Sequence, residues 1–235
     1  MTRAKNCVHH GHFDPSGAEV LPPAARRWLC HAIEPGAPLY RQASIAMHGE
    51  IRIGRWRPFT ATQSLAPGRG YRWAADTSIM GLPVSGYDTY TDGSAQMHWR
   101  ILGVMPIMSG AGLDIELSAA GRLAAEAVLV PTSLVDAQWQ HVDADHAVYV
   151  VSIDGHAHRV LIEVDPQGVL RRVTMQRWGK PAGASGYGFH RFSVAMEAES
   201  RFGELTIASR MVASWPDGGT DGEFYRAKID SVHLH

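Results

Sequence analysis

The chain has 235 residues, 45% hydrophobic and 19% charged, which supplies a sizeable core and excludes a disordered chain. Lys and Arg number 22 against 23 Asp and Glu, a formal net charge of −1, so the basic excess that neutralises phosphates is missing and no nucleic-acid partner is expected. Cys7 and Cys30 do not make a disulfide scaffold, and no apolar stretch reaches the ~18 residues of a membrane span. The polar start, Met1 to Glu19, reads against a secretory signal, and a cytoplasmic location is expected.

In chain order, residues 1–20 read as a polar, His-rich N-terminal extension and residues 21–235 as a single antiparallel β domain. Pro22 and Pro23 open a short amphipathic helix over Ala24–Ile33, with Ala25, Leu29 and Ile33 on one face. Glu34-Pro35-Gly36-Ala37-Pro38 stops it. The period then changes to two. Ala43, Ile45, Met47, Ile51 and Ile53 alternate with polar residues, predicting a half-buried strand. Strands follow over Arg57–Ser64 and Tyr71–Ile79, joined by the Pro67–Gly70 turn. Tyr87–Tyr90 and Gln96–Leu102 flank Asp92-Gly93, a hairpin signal because both residues tolerate positive φ.

A second helix is predicted over Ser118–Val130, with Ser118 as its N-cap. Its charges, Arg122 and Glu126, stand at i, i+4 and can pair. Its other faces are apolar, so it should be buried on most sides. Beyond Val142 the pattern is a meander: His146–Ile153, the Asp154-Gly155 turn, His156–Val164, the 165–168 turn, Val169–Trp178, a Gly-rich loop over 179–188, Phe192–Ser200, Leu205–Ser214, an Asp217-Gly218-Gly219 turn, and Phe224–His233. Strand and helix do not alternate, so a doubly wound sheet is not expected. A sandwich or a curved sheet would satisfy this pattern. The expected fold is mainly β: a single curved antiparallel sheet, a half-barrel or open barrel of about ten strands, covered by one or two α-helices.

The chain has 13 histidines. His9-His10-Gly11-His12 resembles a metal tract, and His156 and His158 would share a strand face. Neither is joined by a carboxylate at ligand spacing, and there is no HExxH or CxxC, so no metal site and no cofactor are expected. Cys30 reads as a small packing residue on the first helix. No Gly-x-Ser-x-Gly elbow, phosphate loop or dinucleotide fingerprint occurs. Glu126 stands in the most apolar stretch of the chain and must find a partner, Arg122 or Arg100. Gln63, Asp88 and Tyr90 can share its face, and Trp73 and Trp99 belong to an aromatic cluster that serves equally as core or as ligand wall.

Several blocks resemble a largely bacterial domain family of unknown function. They are Leu21 to Leu29 with Pro35 to Pro38, His48 to Arg52, RPFTATQ over Arg57–Gln63, Tyr71 to Ala75, Asp88 to Gly93, Arg122 to Ala127 with Pro131-Thr132, Phe202 to Ile207, and Gly222 to Tyr225. The resemblance covers about residues 20–235. At the level of fold it implies similarity to curved half-barrel lipid carriers of the lipoprotein-localisation type. It implies no activity.

Two functions follow, with a third, structural alternative. The first is binding of a hydrophobic or lipid-like small molecule in an apolar cavity, with Gln63, Trp73, Asp88, Tyr90, Trp99 and Arg122 around it. The second is an enzyme of cyclase, isomerase or hydrolase type acting on an apolar substrate there, with Glu126 as acid/base and Arg100 beside it. A partner-binding domain with a filled core is the third.

Overall fold

The computed structural model describes residues 2–3, 8–9, 11–216 and 222–235, with side chains for the last two ranges. Cys7, His10 and the Asp217-Gly218-Gly219 turn lie outside the described residues, as does the side chain of His9. In chain order the elements are β1 (Thr2–Arg3), β2 (Val8–His9), β3 (His12–Phe13), a 3-10 turn (Pro15–Val20), α1 (Pro23–Ala32), β4 (Ala43–Ile53), β5 (Arg55–Ala66), β6 (Gly70–Ile79), β7 (Leu82–Thr91), β8 (Ser94–Ile101) and β9 (Met105–Gly110). Then come α2 (Leu113–Glu126), 3-10 turns over Ala127–Leu129 and Pro131–Leu134, β10 (Gln138–His141), β11 (His146–Ile153), β12 (His156–Val164), β13 (Leu170–Gly179), β14 (Gly188–Phe202), β15 (Leu205–Ser214) and β16 (Glu223–Leu234).

The fold is mainly β. One open antiparallel sheet of 14 strands runs β1-β10-β11-β12-β13-β14-β15-β16-β4-β5-β6-β7-β8-β9. Helix α2 touches β7 and β8 on one arm of this sheet and β11, β12 and β13 on the other. A single helix reaches both arms because the sheet curls around it. Register shifts at Met196–Glu199, Ile229–Ser231 and Trp99–Arg100 supply bulges that bend the strands. The curl brings the β7–β8 turn beside the β11–β12 turn: the Tyr90 hydroxyl donates to Asp154 Oδ2. Both turns are Asp-Gly pairs in the left-handed region, Asp92 and Gly93 at φ 49 and 78 and Asp154 and Gly155 at φ 47 and 81, as the dipeptides predict.

Alternation sorts the first part of β4 as expected but not its end, where Ile51 is half-buried and Ile53 is exposed. On β4, Ala43, Ile45 and Met47 are buried and His48 is exposed. Helix α1 buries Ala24, Ala25, Trp28, Leu29 and Ala32 and lies on β10, β11, β12 and β15. Cys30 falls on the opposite side of α1 and is exposed, so it does not pack in the core. Residues that follow the His-rich start also join the core: Phe13 is 2% and Ala18 0% exposed, and the Phe13 N–H donates to the Ala37 carbonyl at 2.8 Å.

Helix α2 begins five residues before the expected cap, at Leu113 after Gly112, whose φ is 103. The stretch Leu113-Asp114-Ile115-Glu116-Leu117 alternates like a strand, which hides its helical state. Asp114 and Glu116 sit in the first turn, where the helix dipole favours acids. Five strands have no counterpart in the sequence pattern: β1, β2 and β3 are two residues each, and β9 and β10 escape for other reasons. β10 is only four residues long, and β9 carries Pro106 and exposes every residue from Met105 to Ser109, so it has no alternation to read.

Candidate functional site

The inner face of the first arm carries one row of cross-strand neighbours. Gln63 on β5 pairs with Trp73 on β6, Trp73 with Asp88 on β7, and Asp88 with Met97 on β8. Arg122 and Glu126, one turn apart on α2, drop onto this row. Arg122 Nε donates to Glu126 Oε1 at 2.7 Å, and Gln63 Nε2 donates to Glu126 Oε2 at 2.6 Å. Arg122 Nη1 lies 3.5 Å from Asp88 Oδ2, and the Trp99 indole donates to Asp88 Oδ1 at 3.1 Å. The Arg122 guanidinium covers the Tyr71 ring at 4.6 Å and the Trp73 ring at 5.3 Å, a cation–π seat that suits a desolvated cation. Gly86 opposite Trp99 leaves the room its indole ring needs.

The electrostatics follow from burial. Desolvation raises the Asp88 carboxyl above its ordinary value, against the opposing pull of Arg122 and Trp99. Burial works to lower Arg122, but Glu126, Tyr71 and Asp88 outweigh it and hold the guanidinium firmly charged. Burial also raises the Tyr71 and Tyr225 phenols.

A second arginine approaches from β13. Arg177 Nε donates to the Ser118 carbonyl at 3.1 Å and Nη2 to Ser118 Oγ at 3.3 Å. Its guanidinium lies over Phe192 at 4.8 Å and Trp215 at 5.4 Å. Among the described residues no carboxylate comes within ion-pair distance of it. Burial, with Arg122 nearby, pushes it down to about 10. Ser118 is therefore a mid-helix acceptor for Arg177 and not the N-cap of α2.

Between α2 and the β14–β16 part of the sheet lies a cavity of about 220 Å³. Asp88, Arg122, Glu126 and Arg177 form its polar end; Leu129, Phe192, Met196, Met211 and Phe224 are among its apolar walls. Trp73 and Tyr225 close one side. The buried Trp73 N–H meets no acceptor in hydrogen-bond geometry, and the Tyr225 hydroxyl beside it donates to the Met47 sulfur at 3.1 Å.

The expected site residues divide as follows. Gln63, Trp73, Asp88, Arg122 and Glu126 meet in one cluster, and Trp99 backs it through Asp88. Tyr90 is on the same face, but its hydroxyl is held by Asp154, away from the cavity. Arg100 corrects an expectation: it alternates with Trp99 on β8, so it is exposed on the outer face near Tyr87 and His98 and cannot reach Glu126. His156 and His158 line an open groove with Trp178 and Phe189. Among the described residues no group of three or more metal-capable side chains converges. Nothing around Arg177 in the local sequence singles it out. Its signal is indirect: Gly121, inside a helix otherwise rich in Ala, marks where another chain segment comes close.

A LolA superfamily protein from Nitrosomonas europaea is similar in structure at 9% identity, with 90% of this chain and 92% of that chain covered and a TM-score of 0.48. A candidate outer membrane lipoprotein-sorting protein domain from Vibrio parahaemolyticus is similar at 8% identity, covering 83% of this chain and 85% of that one, with a TM-score of 0.43. No curated protein matches the chain. The model of a family of unknown function, DUF6544, matches residues 11–227, and the chain belongs to that family.

Proposed function

We propose that the protein binds a hydrophobic, lipid-like molecule that carries an anionic group, with the apolar part in the cavity and the anion at Arg177. The observation that carries this reading is the pairing of an apolar-walled cavity with a buried guanidinium that has no carboxylate of its own. Arg122 is in direct contact with Glu126 and Asp88; among the described residues Arg177 has no carboxylate at ion-pair distance, its hydrogen bonds go to the neutral Ser118 oxygens, and Glu126 and Asp88 act on it from further away. A buried charge with no anion in direct contact is costly, and a ligand anion is its natural complement. The volume of about 220 Å³ is below the ~300–1,000 Å³ of sites for drug-sized ligands, which favours a short acyl chain or one end of a longer one. Both Glu126 oxygens are already engaged, by Arg122 and Gln63, which favours binding over acid–base catalysis at this residue.

The test compares decanoate with decanol by calorimetric titration of delipidated protein. Decanoate should bind, and Arg177→Gln should weaken it by about tenfold, the scale of one charge-assisted hydrogen bond, while decanol affinity stays the same. Equal affinity for acid and alcohol in the native protein would remove the anion from the reading. Binding of neither ligand would remove the cavity as a site for an acyl chain.

A further inference from the structure

Antiparallel alternation places the β4–β5, β6–β7 and β8–β9 turns at one end of six neighbouring strands. This end is apolar where turns are ordinarily polar. Met80 is 82% exposed on the β6–β7 turn; Leu102 and Val104 on the β8–β9 turn and Met105 at the start of β9 are 56%, 75% and 61% exposed. Ile53, at the β4–β5 turn, adds a further 40%-exposed side chain.

The backbone makes this arrangement more unusual. Met80 and Leu102 both have φ 53, each followed by a left-handed glycine. The two Asp-Gly turns elsewhere in the sheet have nearly the same dihedrals. At this end, Met and Leu occupy the position that Asn, Asp or Gly fill at least cost. These two residues are thus unfavourable in backbone conformation and in solvation together, so neither folding nor solubility accounts for them.

The charge at the turn tips themselves is basic. At the turns themselves, residues 51–57, 77–84 and 101–106 contain Arg52, Arg55 and Arg57 and no carboxylate; one step further back, Arg100 shares a cross-strand row with Asp76, and Glu50 and Glu223 stand beside Arg226. The Arg57 guanidinium ties two of the turns together by donating to the Ser78 carbonyl at 3.0 Å and the Ile53 carbonyl at 3.4 Å. Apolar tips ringed by arginines match the interface of a bilayer, where acyl chains lie under anionic headgroups. A protein partner with an acidic rim would share the charge but would present a shaped pocket; three separate hairpin tips suit a deformable surface.

We propose that this end of the sheet docks on membranes that contain anionic phospholipid, with Met80, Leu102 and Val104 entering the interface and the arginines facing the headgroups. The proposal concerns exposed tips and stands whether or not the cavity binds an acyl chain.

The test is co-sedimentation of the full chain with vesicles of phosphatidylcholine alone and of phosphatidylcholine with about one-third phosphatidylglycerol. The native protein should sediment with the anionic vesicles and dissociate as salt is raised. Met80→Asn with Leu102→Asn should lower vesicle affinity by at least about tenfold. Because Asn accepts the left-handed region readily, the same pair should leave the melting temperature unchanged or raise it, so a folding defect cannot mimic the result. Arg55→Gln should weaken binding to anionic vesicles and reduce its salt dependence. Native protein that stays in the supernatant with both vesicles would overturn the proposal, as would an Asn double variant that sediments like the native chain. A native dimer that the Asn pair dissociates, with no vesicle binding, would overturn it in favour of a contact between copies.

Discussion

Gly121 stands directly over the stem of Arg177: a Cβ at position 121 would come 2.8 Å from Arg177 Cγ. Glycine inside a helix costs about 1 kcal/mol relative to alanine, so the site for Arg177 is built at the expense of α2. Gly121→Ala should gain that propensity and lose about 1–3 kcal/mol to overpacking. The expected net result is a modest destabilisation in urea and weaker binding of decanoate. In the Arg177→Ala background the clash is gone, and Gly121→Ala should stabilise the protein. The reversal of sign is the measurement that checks the relationship.

The Arg122–Glu126 pair yields a second expectation. Breaking a fully buried ion pair from one side costs about 3–5 kcal/mol. Here the side chains are 18% and 23% exposed, so Arg122→Met is expected in the lower part of that range. It strands both Glu126 and Asp88. Glu126→Gln keeps the Gln63 side occupied and leaves Arg122 with Asp88, so about 1–3 kcal/mol is expected. Arg122→Met combined with Glu126→Gln should cost less than the two single changes added together. Urea midpoints of the three variants decide the matter.

This pair also marks the boundary of what the sequence makes legible. Its i, i+4 spacing in an apolar helix identifies the pair before any coordinates, and the two-residue period brings Gln63 and Asp88 to it. Arg100 shows the limit of the same reasoning. Strand parity separates it from Trp99, but which of the two faces inward depends on register, and β8 and β9 shift register between Trp99 and Arg100. Arg177 was invisible for another reason: it belongs to the far arm of the sheet, and only the curl brings β13 under α2. Strand periodicity carries no information about curl, because the bend arises at bulges that leave no dipeptide signature.

Two buried groups should give opposite pH dependences. Burial first, and then neighbouring His156, hold His158 below its ordinary 6.5, and its Nε2 is buried without a partner. The unfolded chain therefore takes up this proton before the folded one does, and stability falls as pH drops below 6.5 toward the lower folded value. His158→Gln should flatten this part of the profile. Asp88 behaves in the reverse manner. Its folded value is raised from 3.8, so the folded state binds the proton first; its contribution is unfavourable above the folded value and is relieved as pH falls toward 3.8. In Asp88→Asn that relief should vanish. Urea midpoints of the three proteins across the acid range, at constant ionic strength, would separate the two effects.

The Tyr90–Asp154 hydrogen bond ties the tips of two hairpins from opposite arms of the sheet, and nothing in strand pairing joins those arms directly. Desolvation first, then the Asp154 hydrogen bond, raises the Tyr90 phenol well above its ordinary 10, so the hydroxyl stays a donor throughout the neutral range. Tyr90→Phe removes the donor and leaves a carboxylate beside an apolar ring. A loss of about 1.5–3 kcal/mol is expected, the range for a hydrogen bond to a charged group. Asp154→Asn keeps an acceptor and suits φ 47, so it should cost less. Asp154→Ala loses the acceptor and also forces a Cβ-bearing residue without a polar side chain into the left-handed region, so it should cost the most. Hydrogen exchange locates the effect: amides at both turns, around residues 90–95 and 152–157, should open together in Tyr90→Phe. Acceleration confined to the β7–β8 turn would mean that the two arms are held by α2 alone.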